Sequence, residues 1–326
     1  IYIMDIVKYV LAFIAVTTVG MLYDRYSKKF YADDELDKYH LVKKYLLNEG
    51  DSLMGKPFIW IHTEHKINAR NWSSFKSRNT LDLNQPYKNL CVKSIMKYCG
   101  DSFKICLIDD SSFEKIIPDW TIRMDGLSDP IKKRVRTLAL SRLLHTYGGF
   151  LVPNSTIVVR DLRGLYDELL NDKDMFCGEL INRSNTNVYT RFFPNHKIMG
   201  CVKNSLGMKE LIDYLGRLIS RDNTDESTFE ANINRFLYKL TQDGKSALID
   251  GKELGVKSKS NEVILIDDWL GEKGVNVCNN SLNCIILPDK DILNRTKYQW
   301  FARMNESQIL QANNQASKYF VISLGK

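Results

Sequence analysis

Between residues 56 and 159 short apolar runs alternate with helical stretches, and this alternation constrains the fold more than any other feature. "KPFIWIH" (56–62) and "FKICLID" (103–109) are apolar almost throughout, as strands covered on both faces are. Between them "QPYKNLCVKSIMKYCG" (85–100) reads as a helix with Pro near its first turn and Gly at its end. "SDPIKKRVRTLALSRLLHTYGG" (128–149) reads as a second helix, capped by Ser128 or Asp129. A two-glycine turn then opens "YGGFLVPNSTIVVRDL" (147–162), whose Thr156–Val159 stretch reads as a buried strand. Strand, helix, strand, helix, strand predicts a doubly wound, mostly parallel sheet with ligands bound outside the carboxyl ends of its strands. The second half is mixed. "MFCGEL", "KIMGCV", "NEVILIDDWLG" and "NCIILP" read as strands, and "SLGMKELIDYLGRLISR" and "ESTFEANINRFLYKLTQ" as helices. No fixed-period repeat or Pro-rich linker interrupts residues 56–326, which predicts one α/β domain there.

Ahead of that domain, Tyr9 to Tyr23 carries no charge. Extended back to Ile6, with Lys8 snorkelling at one end, the run reaches membrane-spanning length. Residues 1–24 are therefore expected to form a transmembrane anchor, with a lipid membrane as partner through residues 6–23. Residues 25–55, including the amphipathic "DDELDKYHLVKKYLLNEG" (33–50), are expected to be a helical spacer. Arg25, Lys28 and Lys29 follow the run, so the positive-inside rule places the main body on the cytosolic side. The seven cysteines form no CxxC pair and no zinc-spaced cluster, which fits buried reduced thiols. A net charge of +7 over 326 residues serves solubility, and no nucleic-acid partner is expected.

The order "FIWIH", "NLCVKSIMKYCGDSFKICLIDDSSFEKIIPDW", "LALSRLLHTYGGFLVPNSTIVV" resembles the sugar-transferase families with a DxD motif, including capsular-polysaccharide-synthesis proteins and their mannosyltransferase relatives. The resemblance covers roughly residues 57–200. It implies a GT-A-like single domain, here preceded by the transmembrane helix. In the family the helix before the glycines reads S-D-x-x-R-x-x-x-L-x-x-x-G-G, followed by an aromatic and then D-x-D or D-x-T. Leu144, Tyr147, Gly148, Gly149 and Phe150 match. The chemical positions do not. The family Asp, eleven residues before the first glycine, falls on Thr137, and the Arg, eight before it, falls on Leu140. The D-x-D itself falls on Pro153, Asn154 and Ser155.

In the family the D-x-D carboxylates hold Mn²⁺ or Mg²⁺ against the donor's diphosphate. A hard cation takes anionic oxygen and offsets the charge that develops on the leaving group. Ile131 to Arg160 contains no Asp or Glu but holds Lys132, Lys133, Arg134, Arg136, Arg142 and Arg160. The expectation is therefore a degenerate glycosyltransferase with no metal and no cofactor, its scaffold kept for a structural or binding role. Lys-, Asn- and Ile-rich usage and an anchored body suggest a minor virion protein of a large DNA virus, linking membrane to capsid among other structural proteins. The alternative is an active transferase at the cytosolic membrane face, with Mn²⁺ or Mg²⁺, binding substrate through Asp109, Asp110, Arg136, Gly148 and Gly149. Arg134 and Arg142 are further candidates for a diphosphate. Asp109–Asp110 and Asp267–Asp268 share the spelling "LIDD", and such acids either touch a ligand or cap the next turn. His62 and His65 are too few for a metal site.

Overall fold

The two apolar runs become adjacent parallel strands at one end of a six-stranded sheet. The computed structural model describes residues 42–47, 55–64, 85–183, 189–221 and 226–325. Strand β1 (Phe58–His62) leads to helix α1 (Pro86–Cys99), β2 (Lys104–Ile108), the short α2 (Phe113–Ile116), α3 (Ile131–Tyr147) and β3 (Gly149–Leu151). After β4 (Thr156–Val158) come α4 (Arg163–Leu169), β5 (Met175–Ile181), β6 (Phe192–Cys201), α5 (Leu206–Ile219), α6 (Glu226–Gln242) and β7 (Ser246–Ile249). The main sheet runs β2-β1-β3-β6-β5-β7. Only β6 is antiparallel to its neighbours. The mostly parallel α/β expectation is met. The chain divides into two compact units, Ile1–Tyr45 and Leu46–Lys326, and every strand belongs to the second.

Two expectations shift. The strand after the glycine turn leaves the main sheet: β4 pairs antiparallel with β8 (Cys284–Ile286) in a separate two-stranded sheet. The second "LIDD" is not a strand end but the start of α7 (Ile266–Leu270), with Asp267 and Asp268 in its first turn. Nor do Ser128 or Asp129 cap α3 with a side chain. Pro130 stands at its N-cap, and the Ser128 carbonyl accepts from the Lys132 N–H instead. The anchor at 1–24 and most of the spacer at 25–55 lie outside the described residues. No helix among the described residues is long and apolar enough to cross a membrane.

Helix α1 joins two cores. Its Ile95 and Cys99 pack with β1, β2 and β3 side chains of the main sheet. Its Tyr87, Leu90 and Cys91 pack with Ile157, Ile285, Trp269 and the C-terminal helices, including Phe320 on α8 (Gln315–Leu324). All seven cysteines are free, and six are buried. Burial pushes the Cys99 thiol up to about 12 and that of Cys177 up to about 11, so neither is a nucleophile at neutral pH.

The glycine turn ties α3 to the sheet. Gly148 has φ 71° and ψ −168°, a region essentially restricted to glycine. Its carbonyl accepts from the buried Trp60 indole N–H at 2.9 Å. Gly149 has φ +105°, and a Cβ there would lie 2.5 Å from the Phe58 carbonyl oxygen. Gly149→Ala therefore combines backbone strain with a clash against β1. It is expected to cost at least ~2 kcal/mol and lower the Tm by several degrees, read by thermal denaturation. An unchanged Tm would mean the turn relaxes freely.

Candidate functional site

Asp109 and Asp110 stand at the carboxyl edge of β2, where ligands of such sheets bind. The structure commits both. Asp109 Oδ1 accepts from the Ser112 N–H (3.0 Å), the Ser112 hydroxyl (2.8 Å) and the Ser111 hydroxyl (2.7 Å). The Ser112 Oγ accepts in return from the Asp109 N–H at 3.0 Å, closing a capping box that opens the turn into α2. Asp110 takes a bidentate pair from Arg136 on α3, at 2.6 Å from Nε and 2.7 Å from Nη2. His62 Nε2, at the end of β1, lies 3.0 Å from Asp110 Oδ1, and Arg136 Nη1 also reaches Glu64. Burial alone would raise the Asp110 carboxyl. Hydrogen bonds from Arg136 and His62 outweigh it and hold the group well below the usual carboxylate range. Burial likewise works against the Arg136 cation, and its two carboxylates more than restore it. The cluster is closed: a diphosphate would have to break it to reach Arg136.

The other two arginines of α3 point elsewhere. Arg134 is 6% exposed, with its guanidinium 5.1 Å over the Phe229 ring and, among the described residues, no hydrogen-bond partner for Nε or Nη2. Arg142 lies over Trp120 at 5.7 Å. Thr137 Oγ1 donates back to the Lys133 carbonyl at 3.1 Å, the local bond that a helical Thr makes with its preceding turn. Leu140 is half-buried on the same helix. Gly148 and Gly149 are spent on the turn. Asp267 pairs with Lys297 and accepts from the Tyr298 hydroxyl at 2.6 Å, and Asp268 accepts from the Leu265 N–H at 2.7 Å. His65 lies outside the described residues.

Of the remaining positions Pro153 and Ser155 meet at a cavity of about 410 Å³, and Asn154 between them is not among its lining residues. Pro153 and Ser155, from the link between β3 and β4, line one side. The Ser155 hydroxyl is buried and donates to the Leu287 carbonyl at 2.8 Å, turned into the fold beside β8. The end of β5 contributes Asn182 and Arg183, and the start of β6 Asn195 and Lys197. Helix α6 supplies Glu230 and Asn234, and the segment after β8 supplies Asp289 and Lys290. Burial pushes the Lys197 ammonium below its ordinary value, with Glu230 opposing. Burial would raise Glu230, but Lys197, His196 and Lys290 draw it down to about 2, so it is a carboxylate at neutral pH. Sequence reasoning missed Arg183, Lys197, Glu230 and Asn234. Lys197 alone left a trace, as the one cation inside the apolar strand run "KIMGC". Among the described residues no three His, Cys, Asp or Glu side chains gather as a metal site.

No protein-family model and no curated protein matches the chain. Solved structures with a related chain path include glycosyltransferase GlyE of Streptococcus pneumoniae TIGR4. It is 11% identical with a TM-score of 0.37, over 82% of this chain and 64% of that one. Its apo form is 13% identical with a TM-score of 0.34, over 60% of this chain and 46% of that one. The chain thus spans about half to two thirds of GlyE. LgtC in complex with donor and acceptor sugar analogues is 11% identical with a TM-score of 0.34, over 60% and 74% of the two chains. Mouse xyloside xylosyltransferase 1 is 9% identical with the same TM-score, over 60% and 86%.

The Asp110 network has a pH signature. A carboxyl whose folded pKa is depressed contributes stability above its unfolded value of about 3.9, and that contribution fades as pH falls below it. Asp110→Asn is expected to destabilise by about 1–3 kcal/mol at pH 7, a figure discounted for the partial exposure of the cluster. The gap to wild type should narrow in thermal melts taken from pH 5 down to about 3. A gap independent of pH would show that the carboxylate charge contributes nothing.

Proposed function

We propose that this chain is a glycosyltransferase-like binding protein that takes a sugar-bearing ligand into the 410 Å³ cavity and does not transfer the sugar. The observation that carries this reading is the wall formed by Pro153 and Ser155. Where the resembled families need two carboxylates, this chain offers a proline ring and a hydroxyl already donating to the Leu287 carbonyl. Asn154 between them adds only a neutral amide. Such a donor set does not fit Mn²⁺ or Mg²⁺, which select anionic oxygen. Transfer without stabilisation of the leaving diphosphate loses orders of magnitude in rate. The active alternative would recruit Asp109, Asp110 or Arg136, and all three are engaged with their neighbours.

The apolar run at 6–23 supports a membrane-tethered body on the cytosolic or virion-interior side, with other structural proteins as its partners. A cavity of this size accepts a sugar or sugar phosphate.

Thermal shift of the full chain with UDP- and GDP-sugars, with and without Mn²⁺, tests the reading. Stabilisation by the sugar nucleotide should be the same with and without the metal, and incubation should release no free sugar. Metal-dependent stabilisation of several degrees, or released sugar, would overturn it.

A further inference from the structure

The cavity wall holds a half-buried cation with no close carboxylate among the described residues. Its acids are already answered: Glu230 by Lys290 at 3.1 Å, and Asp289 by Lys88 at 3.3 Å. Arg183 is matched by Asp291 in a bidentate pair at 2.9 and 2.5 Å. Lys197, half-buried in the cavity wall, has no carboxylate at ion-pair distance among the described residues, and Glu230 acts on it only from farther away. A cation partly withdrawn from water is normally paired at short range, so one that faces a cavity without such a partner is a place for an anion.

The backbone puts it there. The β5–β6 ladder pairs Cys177 with Met199 and then Gly178 with Asn195, leaving His196, Lys197 and Ile198 outside the register. A bulge of this kind re-aims side chains beside sites. Around Lys197 the donors outnumber the acceptors. The Asn195 side-chain oxygen accepts from the Lys197 backbone N–H at 3.0 Å. The Asn234 oxygen lies 3.1 Å from His196 Nδ1. With both oxygens occupied, the two amide NH₂ groups have no protein acceptor among the described residues. Burial holds the His196 pKa below its ordinary value, so its ring adds no competing cation near pH 7.

We infer that this cavity is an oxyanion site, its ligand a sugar-sized molecule bearing a phosphate or carboxylate seated on the Lys197 ammonium and the Asn195 and Asn234 amides. The inference rests on the reading of the cavity as the binding site and names the ligand's charged group. Phosphate and carboxylate share this chemistry, and the probes separate them.

The test is calorimetric titration of the full chain with glucose 1-phosphate, glucuronate and glucose, for wild type, Lys197→Gln and Lys197→Arg. One of the two anions should bind wild type in a salt-sensitive manner, and which one does identifies the group. Lys197→Gln should weaken it by about tenfold or more while Lys197→Arg retains most of the affinity, as for other charge-assisted bonds. Circular dichroism and Tm of each variant establish that it is folded. Glucose binding as tightly as its phosphate and as glucuronate would overturn the anion assignment and leave the sugar-binding reading standing. So would an anion bound equally by wild type and a folded Lys197→Gln. Binding of no probe would overturn both.

Discussion

One hydrogen bond, from the Trp60 indole to the Gly148 carbonyl, organises the chain around it. It pins the C-terminus of α3 to β1 and works only because Gly148 adopts a backbone that other residues avoid. Phe58, Trp60 and Tyr147 close around it, with ring centroids 4.8 to 6.0 Å apart. From this fixed point β3 enters the sheet between β1 and β6, and Val152 continues the pairing by donating to the Trp60 carbonyl at 3.0 Å. The turn at Pro153 then lifts the chain into the second sheet, with Thr156 N–H donating to the Pro153 carbonyl. The position of the cavity wall is thus inherited from a glycine carbonyl several residues upstream.

The two polar regions are built on opposite electrostatic terms. At β1 and β2 one arginine is shared between two carboxylates and a histidine approaches one of them, so charge is balanced within a few ångströms. Desolvation there is offset by short bonds, and the cluster behaves as a structural clasp. At β5, β6 and α6 the half-buried Lys197 has no carboxylate at ion-pair distance among the described residues. The same desolvation that Asp110 overcomes through Arg136 keeps the Lys197 ammonium below its ordinary value although Glu230 opposes it.

The sheet was readable because strands buried on both faces have a simple signature: "FIWIH" and "KICLI" are nearly continuous apolar runs. The glycine pair was readable because a positive φ leaves few substitutes. The departure of β4 was not, since so short a buried stretch, Thr156–Val158, records burial and not the partner that supplies it. "ILIDDWL" misled for a related reason: an apolar run ending in acids describes a strand edge and a helix N-terminus equally well. That residues 153 and 155 are a proline and a serine and carry no acid stood plainly in the sequence. The groups lining the same volume, Lys197, Glu230 and Asn234, come from distant segments and from a bulge, and no local pattern links them.

The bond between Ser155 and Leu287 spans 132 residues. Synthesis runs from the N-terminus, so β4 emerges long before β8 exists to pair with it. Every strand of the main sheet, by contrast, has been made once Ile249 appears. The scaffold can therefore close while the wall at 286–290 is still being made, and the cavity is completed only after the sheet that carries it. During that interval Ile157 has no strand to cover it, and this apolar edge is the surface a nascent chain must keep from its neighbours.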